Sequence, residues 1–126
     1  MTTIAQYLLL SILSAFLVFH FLVILKIIPY DKVWGGRLKS DTGMYRFESV
    51  SILIILLFLF VIISHIGLIN IVNSKNILKF GFWLMTILFA VNSVGNFISI
   101  NKFERNYFTP LTILLTLLSL ILALSY

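Results

Sequence analysis

Four long runs of apolar residues, separated by short polar segments, dominate the chain. They cover about residues 4–28, 47–69, 78–100 and 110–126. A helix needs about 20 predominantly apolar residues to cross a hydrocarbon core of about 30 Å; three runs meet this length and the fourth is at its short end. The pattern therefore predicts an all-α integral membrane protein, a single domain with four transmembrane helices.

Turn-forming and capping residues mark the ends of these runs. Pro29 follows the first run and cannot donate the next helical hydrogen bond, so we expect the first helix to end there. Asp41 is a predicted N-cap before the second run, which places Glu48 near a helix N-terminus, where the macrodipole favours a carboxylate. Thr109 and Pro110 predict the N-cap and first residue of the fourth helix.

The connections between the runs are short, which favours an up-down-up-down bundle without a domain outside the membrane. Basic residues divide unequally between the connections: on one side Lys26, Lys32, Arg37, Lys39, Arg46, Lys102 and Arg105, on the other Lys75 and Lys79. Lys and Arg in short loops stay cytoplasmic, so we expect loop 29–46 and the third loop inside and both termini extracytoplasmic. Aromatic residues such as Phe82 would then belong to the outer interfacial belt.

The amino-acid composition agrees with an integral membrane protein and excludes several kinds of chemistry. Apolar residues make up 61% of the chain and charged residues 10%, whereas soluble domains are about half apolar and a quarter charged. The net charge of +5 follows from the basic loops, so it does not predict nucleic-acid binding. The absence of cysteine excludes thiolate chemistry and Cys-ligated metals. The two histidines lie at different depths, and we expect neither a metal nor a cofactor.

Polar side chains inside the apolar runs are the first candidates for a functional site, because an unpaired amide in hydrocarbon costs several kcal/mol. Asn92, Asn96 and Ser99 share one face of the third predicted helix, and Gly95 beside them is expected to make space for a neighbour. This stripe is expected either to line a ligand-binding pocket or to form hydrogen bonds between helices. The sequence leaves both alternatives open.

His20 is the ionisable residue expected deepest in the membrane, which makes it a functional candidate. One interpretation is structural: a neutral imidazole bonded to an amide such as Asn96. The other is catalytic: His20 and Glu48 as the acid and base of a lipid-acting enzyme, provided that both reach the same reacting atom. His65 lies near the outer end of the second run, where we expect interfacial water.

The first loop contains a second group of candidates. Gly35 and Gly36 permit a tight turn, and Arg37 and Arg46 follow it. Backbone N–H groups and guanidinium donors suit an anionic group such as a lipid phosphate or a carboxylate. The alternative is an ordinary basic cytoplasmic loop attracted to anionic lipid. Glu104, in the third loop, lies on the same predicted side and completes the expected pocket.

A stripe of small and hydroxyl residues on the fourth run, Thr112, Thr116 and Ser119, lets helix backbones approach closely. It predicts a packing seam, or else the surface for a protein partner or a homo-oligomer.

Three functions remain compatible with the sequence. The favoured one is a protein of the plasma (inner) membrane whose cytoplasm-facing polar pocket binds a small polar molecule or lipid headgroup, for transport, sensing or presentation. The alternatives are an accessory or protective subunit of a larger membrane complex and a lipid-acting enzyme using His20 and Glu48. Membrane lipids are the expected partners in each case.

Overall fold

The computed structural model describes residues 1–30 and 38–126, and its regular structure in these ranges is helical. The helices are α1 (Thr2–Ile24), α2 (Asp41–Ile66), α3 (Lys75–Phe97), a π-helical segment (Glu104–Phe108) and α4 (Thr109–Leu124), which continues directly from that segment. Four stretches, the last of them Glu104–Leu124, are long and apolar enough to cross a membrane. The predicted all-α class and its four apolar helices are therefore confirmed.

The end of α1 and the beginning of α2 differ from the sequence-based expectation. The first helix ends at Ile24, ahead of Pro29, and Lys26 adopts a positive φ of 62°. Ser40, not Asp41, caps α2: the Ser40 hydroxyl accepts a hydrogen bond from a backbone N–H at 3.1 Å. Because α2 begins at Asp41, Glu48 lies about two turns inside the helix. Its predicted place at a helix N-terminus is wrong.

The last helical stretch also begins earlier than predicted. The Asn101 side chain accepts hydrogen bonds from the N–H groups of Phe103 at 2.9 Å and Glu104 at 3.3 Å. These bonds satisfy donors that the first turn of a helix leaves unpaired. Thr109 has helical backbone angles, makes no capping bond and lies within the stretch, so the Thr109 N-cap prediction is wrong.

The helices pack in a ring, and the neighbouring pairs differ in how closely they pack. The closest pair is α3 with α4, followed by α1 with α2 and α1 with α4, whereas α2 and α3 pack most loosely. The fully buried core side chains come from all four helices: Leu9, Leu13, Ile62, Phe82, Met85, Leu115 and Leu122. Phe82 is one of them, so its side chain faces the core of the bundle and not the surroundings of the protein.

Gly81 is the glycine at which two helices come closest. A Cβ atom at this position would lie 3.0 Å from both Cγ atoms of Val61, so the missing side chain of Gly81 lets α3 approach α2. At Gly95 a Cβ atom would meet nothing within 4 Å. The expectation that Gly95 makes space for a neighbour is therefore wrong, because no element packs against it in the described part of the chain.

The hydroxyl stripe of α4 lies largely inside the bundle. Thr112 and Ser119 are buried, and Thr116 is half-buried. The Thr116 and Ser119 hydroxyls donate to backbone carbonyls one turn earlier, at 2.8 and 2.7 Å. Since the chain itself covers Thr112 and Ser119, these two residues do not present a surface to a partner.

Candidate functional site

A histidine and a carboxylate meet between α1 and α2. His20 Nδ1 lies 2.5 Å from Glu48 Oε2; the Glu48 side chain is fully buried and that of His20 is 17% exposed. An ionised carboxylate only accepts hydrogen bonds, so with Glu48 ionised the hydrogen lies on Nδ1 and Nε2 is left for another partner. The expected bond between His20 and Asn96 is wrong, because Glu48 occupies that role.

A cavity of about 290 Å³ lies beside this pair, and residues from α1, α2, α3, the π-helical segment and α4 contribute to its wall. The polar lining residues are His20, Ser51, Asn92, Asn96, Glu104 and Thr112. The apolar wall includes five phenylalanines, Phe16, Phe19, Phe58, Phe89 and Phe108. A mostly apolar concave space with a few convergent polar groups is typical of a small-molecule site.

The two asparagines of α3 have different environments. Asn96 is buried, and its Nδ2 donates to Thr112 Oγ1 on α4 at 3.3 Å. Asn92 is exposed at the rim of the cavity and makes no hydrogen bond with the other described residues. Asn96 therefore combines the two roles that the sequence left open, since it joins two helices and also lines the cavity.

The π-helical segment forms one end of the cavity. Glu104 and Phe108, at its two ends, both line the cavity, and Glu104 is buried. The Ser99 hydroxyl donates to Glu104 Oε2 at 3.0 Å, and the Phe108 ring meets Phe19 edge-on at 5.0 Å between centroids. Single π-helical turns occur frequently at functional sites.

The structure brings together only some of the predicted site residues. Four of them line the cavity: His20, Asn92, Asn96 and Glu104. Glu48 contacts the lining residue His20, and Ser99 donates a hydrogen bond to the lining residue Glu104. Arg46 is exposed and does not line the cavity. Gly35, Gly36 and Arg37 lie outside the described residues.

Sequence reasoning did not identify Ser51 or the phenylalanine wall. Ser51 follows Glu48 by three positions and so shares its face of α2, a spacing that could have indicated it. The phenylalanines carried no such signal, because the chain has 12 Phe spread over the first three apolar runs and the third loop, and only the packing selects the five that face the cavity. Thr112 was recognised only as part of the packing stripe.

Two further polar contacts lie outside the cavity wall. His65, in the last turn of α2, is half-buried: its Nδ1 contacts the Tyr126 hydroxyl, and its ring packs edge-on against Phe82 at 5.0 Å between centroids. Lys26 pairs with Asp41 at an exposed position, and this hydrogen bond raises the pKa of Lys26. Exposed ion pairs contribute little to stability.

Among residues 1–30 and 38–126, no three acidic or histidine side chains lie close enough together to hold a metal ion. Comparison with known proteins gives no family match, no similar curated protein and no similar solved structure. The site itself is therefore the basis for inferring what the protein does.

Proposed function

We propose that this protein is a small multi-pass protein of the plasma (inner) membrane whose cavity binds a small polar molecule or the headgroup of a lipid. The observation that carries this proposal is the cavity of about 290 Å³, in which polar side chains from every helix converge between aromatic walls. The apolar wall supplies contact area, and the few polar groups supply orientation and specificity.

The distribution of basic residues supports a cytoplasmic location for the polar end of the bundle. The cavity is lined by the C-terminal parts of α1 and α3, the middle of α2 and the start of the last helical stretch. Seven of the nine basic residues belong to the two connections at this end of the bundle or to the first two turns of the helices that follow them. By the positive-inside rule both connections are cytoplasmic, which gives an up-down-up-down topology with both termini outside.

The binding proposal is tested by removing a polar wall group and identifying what the purified protein retains. Asn96→Leu keeps the approximate volume of the side chain but removes the amide. Ser93→Val is the matched control, since Ser93 is a polar residue on the same helix that does not line the cavity and donates to its own helix at 2.7 Å. Mass spectrometry of the purified proteins should detect a molecule that the wild type and Ser93→Val retain and Asn96→Leu has lost.

A wild type that retains no specific molecule, or an Asn96→Leu variant that retains it as well as the control does, would contradict the proposal. Because Asn96 also bonds Thr112, its replacement can prevent folding. In that case Ser51→Val gives a second test, because Ser51 lines the cavity and has no part in this bond between helices. Circular dichroism establishes that each variant is folded.

The contact between His20 and Glu48 favours a second candidate, a lipid-acting enzyme. A histidine held by a carboxylate at Nδ1 and placed at a cavity wall can use Nε2 as a general base. The 2.5 Å distance joins the two side chains to each other, and only His20 lines the cavity, so in this candidate Glu48 acts through His20 and does not reach the reacting atom itself. His20 would accept a proton from water or a hydroxyl group, and Glu48 would orient the imidazole and stabilise its charged form.

Incubation with a mixture of membrane lipids distinguishes this candidate from simple binding. An enzyme should convert one lipid into a new product, and His20→Asn should abolish that product, since Asn cannot act as a base. If the wild type and His20→Asn leave the lipid mixture equally unchanged, the catalytic candidate fails and the binding proposal is unaffected.

A further inference from the structure

The exposed lining residues show where the cavity opens. Of the described residues that form its wall, only Val50 and Asn92 are exposed, and the others are half-buried or buried. Val50, which is 50% exposed, belongs to α2, and Asn92 belongs to α3. These two helices form the most loosely packed pair of neighbours in the ring. The cavity therefore opens sideways, between α2 and α3.

This side opening lies within the apolar stretches of both helices. At a rise of 1.5 Å per residue, Val50 is about 13 Å from the start of α2 and Asn92 about 7 Å from the end of α3. The neighbouring residues Leu53 and Val91 are apolar and exposed, at 58% and 63%. When the helices cross a membrane, such an opening faces lipid chains, so molecules dissolved in the bilayer reach it first.

The polar groups of the cavity wall suit an uncharged headgroup. Asn92, Asn96 and Thr112 offer amide and hydroxyl groups that both donate and accept hydrogen bonds. A hydroxyl-bearing headgroup likewise donates and accepts hydrogen bonds, whereas an ionised phosphate or carboxylate only accepts them and an ammonium group only donates them. A phosphate or carboxylate headgroup is therefore disfavoured relative to a hydroxyl-bearing one.

The size and the walls of the cavity suit a ligand with a single hydrocarbon chain. Its volume of about 290 Å³ is at the lower end of the range for small-molecule sites. The phenylalanine walls offer apolar contact to the first part of a hydrocarbon chain, and the rest of the chain can leave between α2 and α3. The exposed Asn92 amide would bond the headgroup at the rim, which explains how an amide is tolerated there.

We propose that the cavity takes an uncharged, single-chain amphiphile with a hydroxyl-bearing headgroup, of the monoacylglycerol type, from the bilayer through the opening between α2 and α3. This inference rests on the proposed binding function and adds the class of ligand and its route. It requires that the ligand have both a hydrocarbon chain and an uncharged headgroup, and that the ligand pass Val50 as it enters the cavity.

Binding to the full-length protein is measured with four probes: monoolein, oleate, oleylamine and glycerol. The protein is held in phosphatidylcholine nanodiscs, and native mass spectrometry after ejection from the discs counts bound probe. Monoolein should bind, oleate and oleylamine should bind more weakly, and glycerol should not bind. Asn92→Leu should lower the affinity for monoolein about fivefold, which is the effect of one lost hydrogen bond. The fold should stay intact because Asn92 is exposed.

The route is tested by the rate of monoolein uptake. Val50→Trp places a bulky side chain in the opening and should slow uptake several-fold. Leu53→Trp is the matched control, since Leu53 is an exposed residue of the same helix that does not line the cavity. Equal rates in the two variants would overturn the lateral route, and an unchanged monoolein affinity in Asn92→Leu would overturn the assigned headgroup contact.

The outcomes separate this inference from the function on which it rests. If a charged probe or glycerol binds at least as tightly as monoolein, the ligand class is wrong, but a molecule lost on Asn96→Leu would still support a binding cavity. If the wild type binds no probe and retains no molecule, both the inference and the proposed function fail.

Discussion

Replacement of Gly81 by alanine tests the packing of α2 against α3 directly. In the native structure a Cβ atom at this position would lie 3.0 Å from Cγ1, 3.0 Å from Cγ2 and 3.6 Å from Cβ of Val61. Optimal separations between non-bonded carbon atoms are about 3.5–4.0 Å, so the added methyl group overlaps two Val61 methyl groups by about 0.5–1 Å. Val61 cannot turn both methyl groups away, because a β-branched side chain has one strongly preferred rotamer in a helix.

The overlap should outweigh the helical preference of alanine. An extra methyl group in a close-packed interface costs about 1–3 kcal/mol, and Gly→Ala inside a helix gains about 1 kcal/mol. Gly81→Ala should therefore destabilise the protein by up to about 2 kcal/mol. Gly95→Ala is the matched control on the same helix: a Cβ atom there meets nothing within 4 Å, so this variant should gain up to about 1 kcal/mol.

The free energy of unfolding is measured by titrating sodium dodecyl sulfate into detergent micelles that contain the protein and following helicity by circular dichroism. The double variant Gly81→Ala/Val61→Ala removes both clashing methyl groups, so the two substitutions should be less harmful together than the sum of their separate effects. If Gly81→Ala is as stable as Gly95→Ala, the close approach of α2 and α3 at this point is wrong.

Three further predictions follow from single contacts or from the loop charges. His20→Leu removes a hydrogen bond from the buried Glu48 carboxylate and should lower the free energy of unfolding by about 1.5–3 kcal/mol, measured by the same titration. Asn101→Ala removes a helix cap and should cost about 1 kcal/mol, whereas an unchanged stability would contradict the capping role. Because the natural chain has no cysteine, Asn73→Cys and Lys102→Cys can be labelled singly in intact cells with a membrane-impermeant maleimide. The predicted topology requires labelling at position 73 and none at position 102. The reverse pattern would show that the protein has the opposite orientation in the membrane.

The apolar helices could be predicted because their signal is local. A run of about 20 apolar residues identifies a potential membrane span without knowledge of its neighbours. Helix ends depend on single hydrogen bonds, which explains the errors there. Ser40 was passed over for Asp41 as a cap, although both are good capping residues, and Thr109 was preferred to Asn101 because Pro110 follows it.

The site could be predicted only in part, because it depends on pairing between distant segments. The sequence indicated His20, Asn92 and Asn96 by their polarity in apolar surroundings and Glu104 by its place on the same predicted side, and all four line the cavity. It raised His20 and Glu48 as a pair only as one of two alternatives, because their bond across 28 positions depends on how α1 packs against α2. The close approach at Gly81 was missed for the same reason.

The central claim is that the cavity holds a ligand between its asparagines and its phenylalanine walls. Solution NMR of the isotope-labelled protein, purified with its native lipids, tests this most directly through nuclear Overhauser effects on the side-chain amide protons of Asn92 and Asn96. A bound, unlabelled molecule should give nuclear Overhauser effects at both amides in the wild type, and the effects at Asn92 should be lost in Asn96→Leu. Nuclear Overhauser effects from protein protons alone, including those of phenylalanine rings packed against Asn96, would contradict a bound ligand in the cavity.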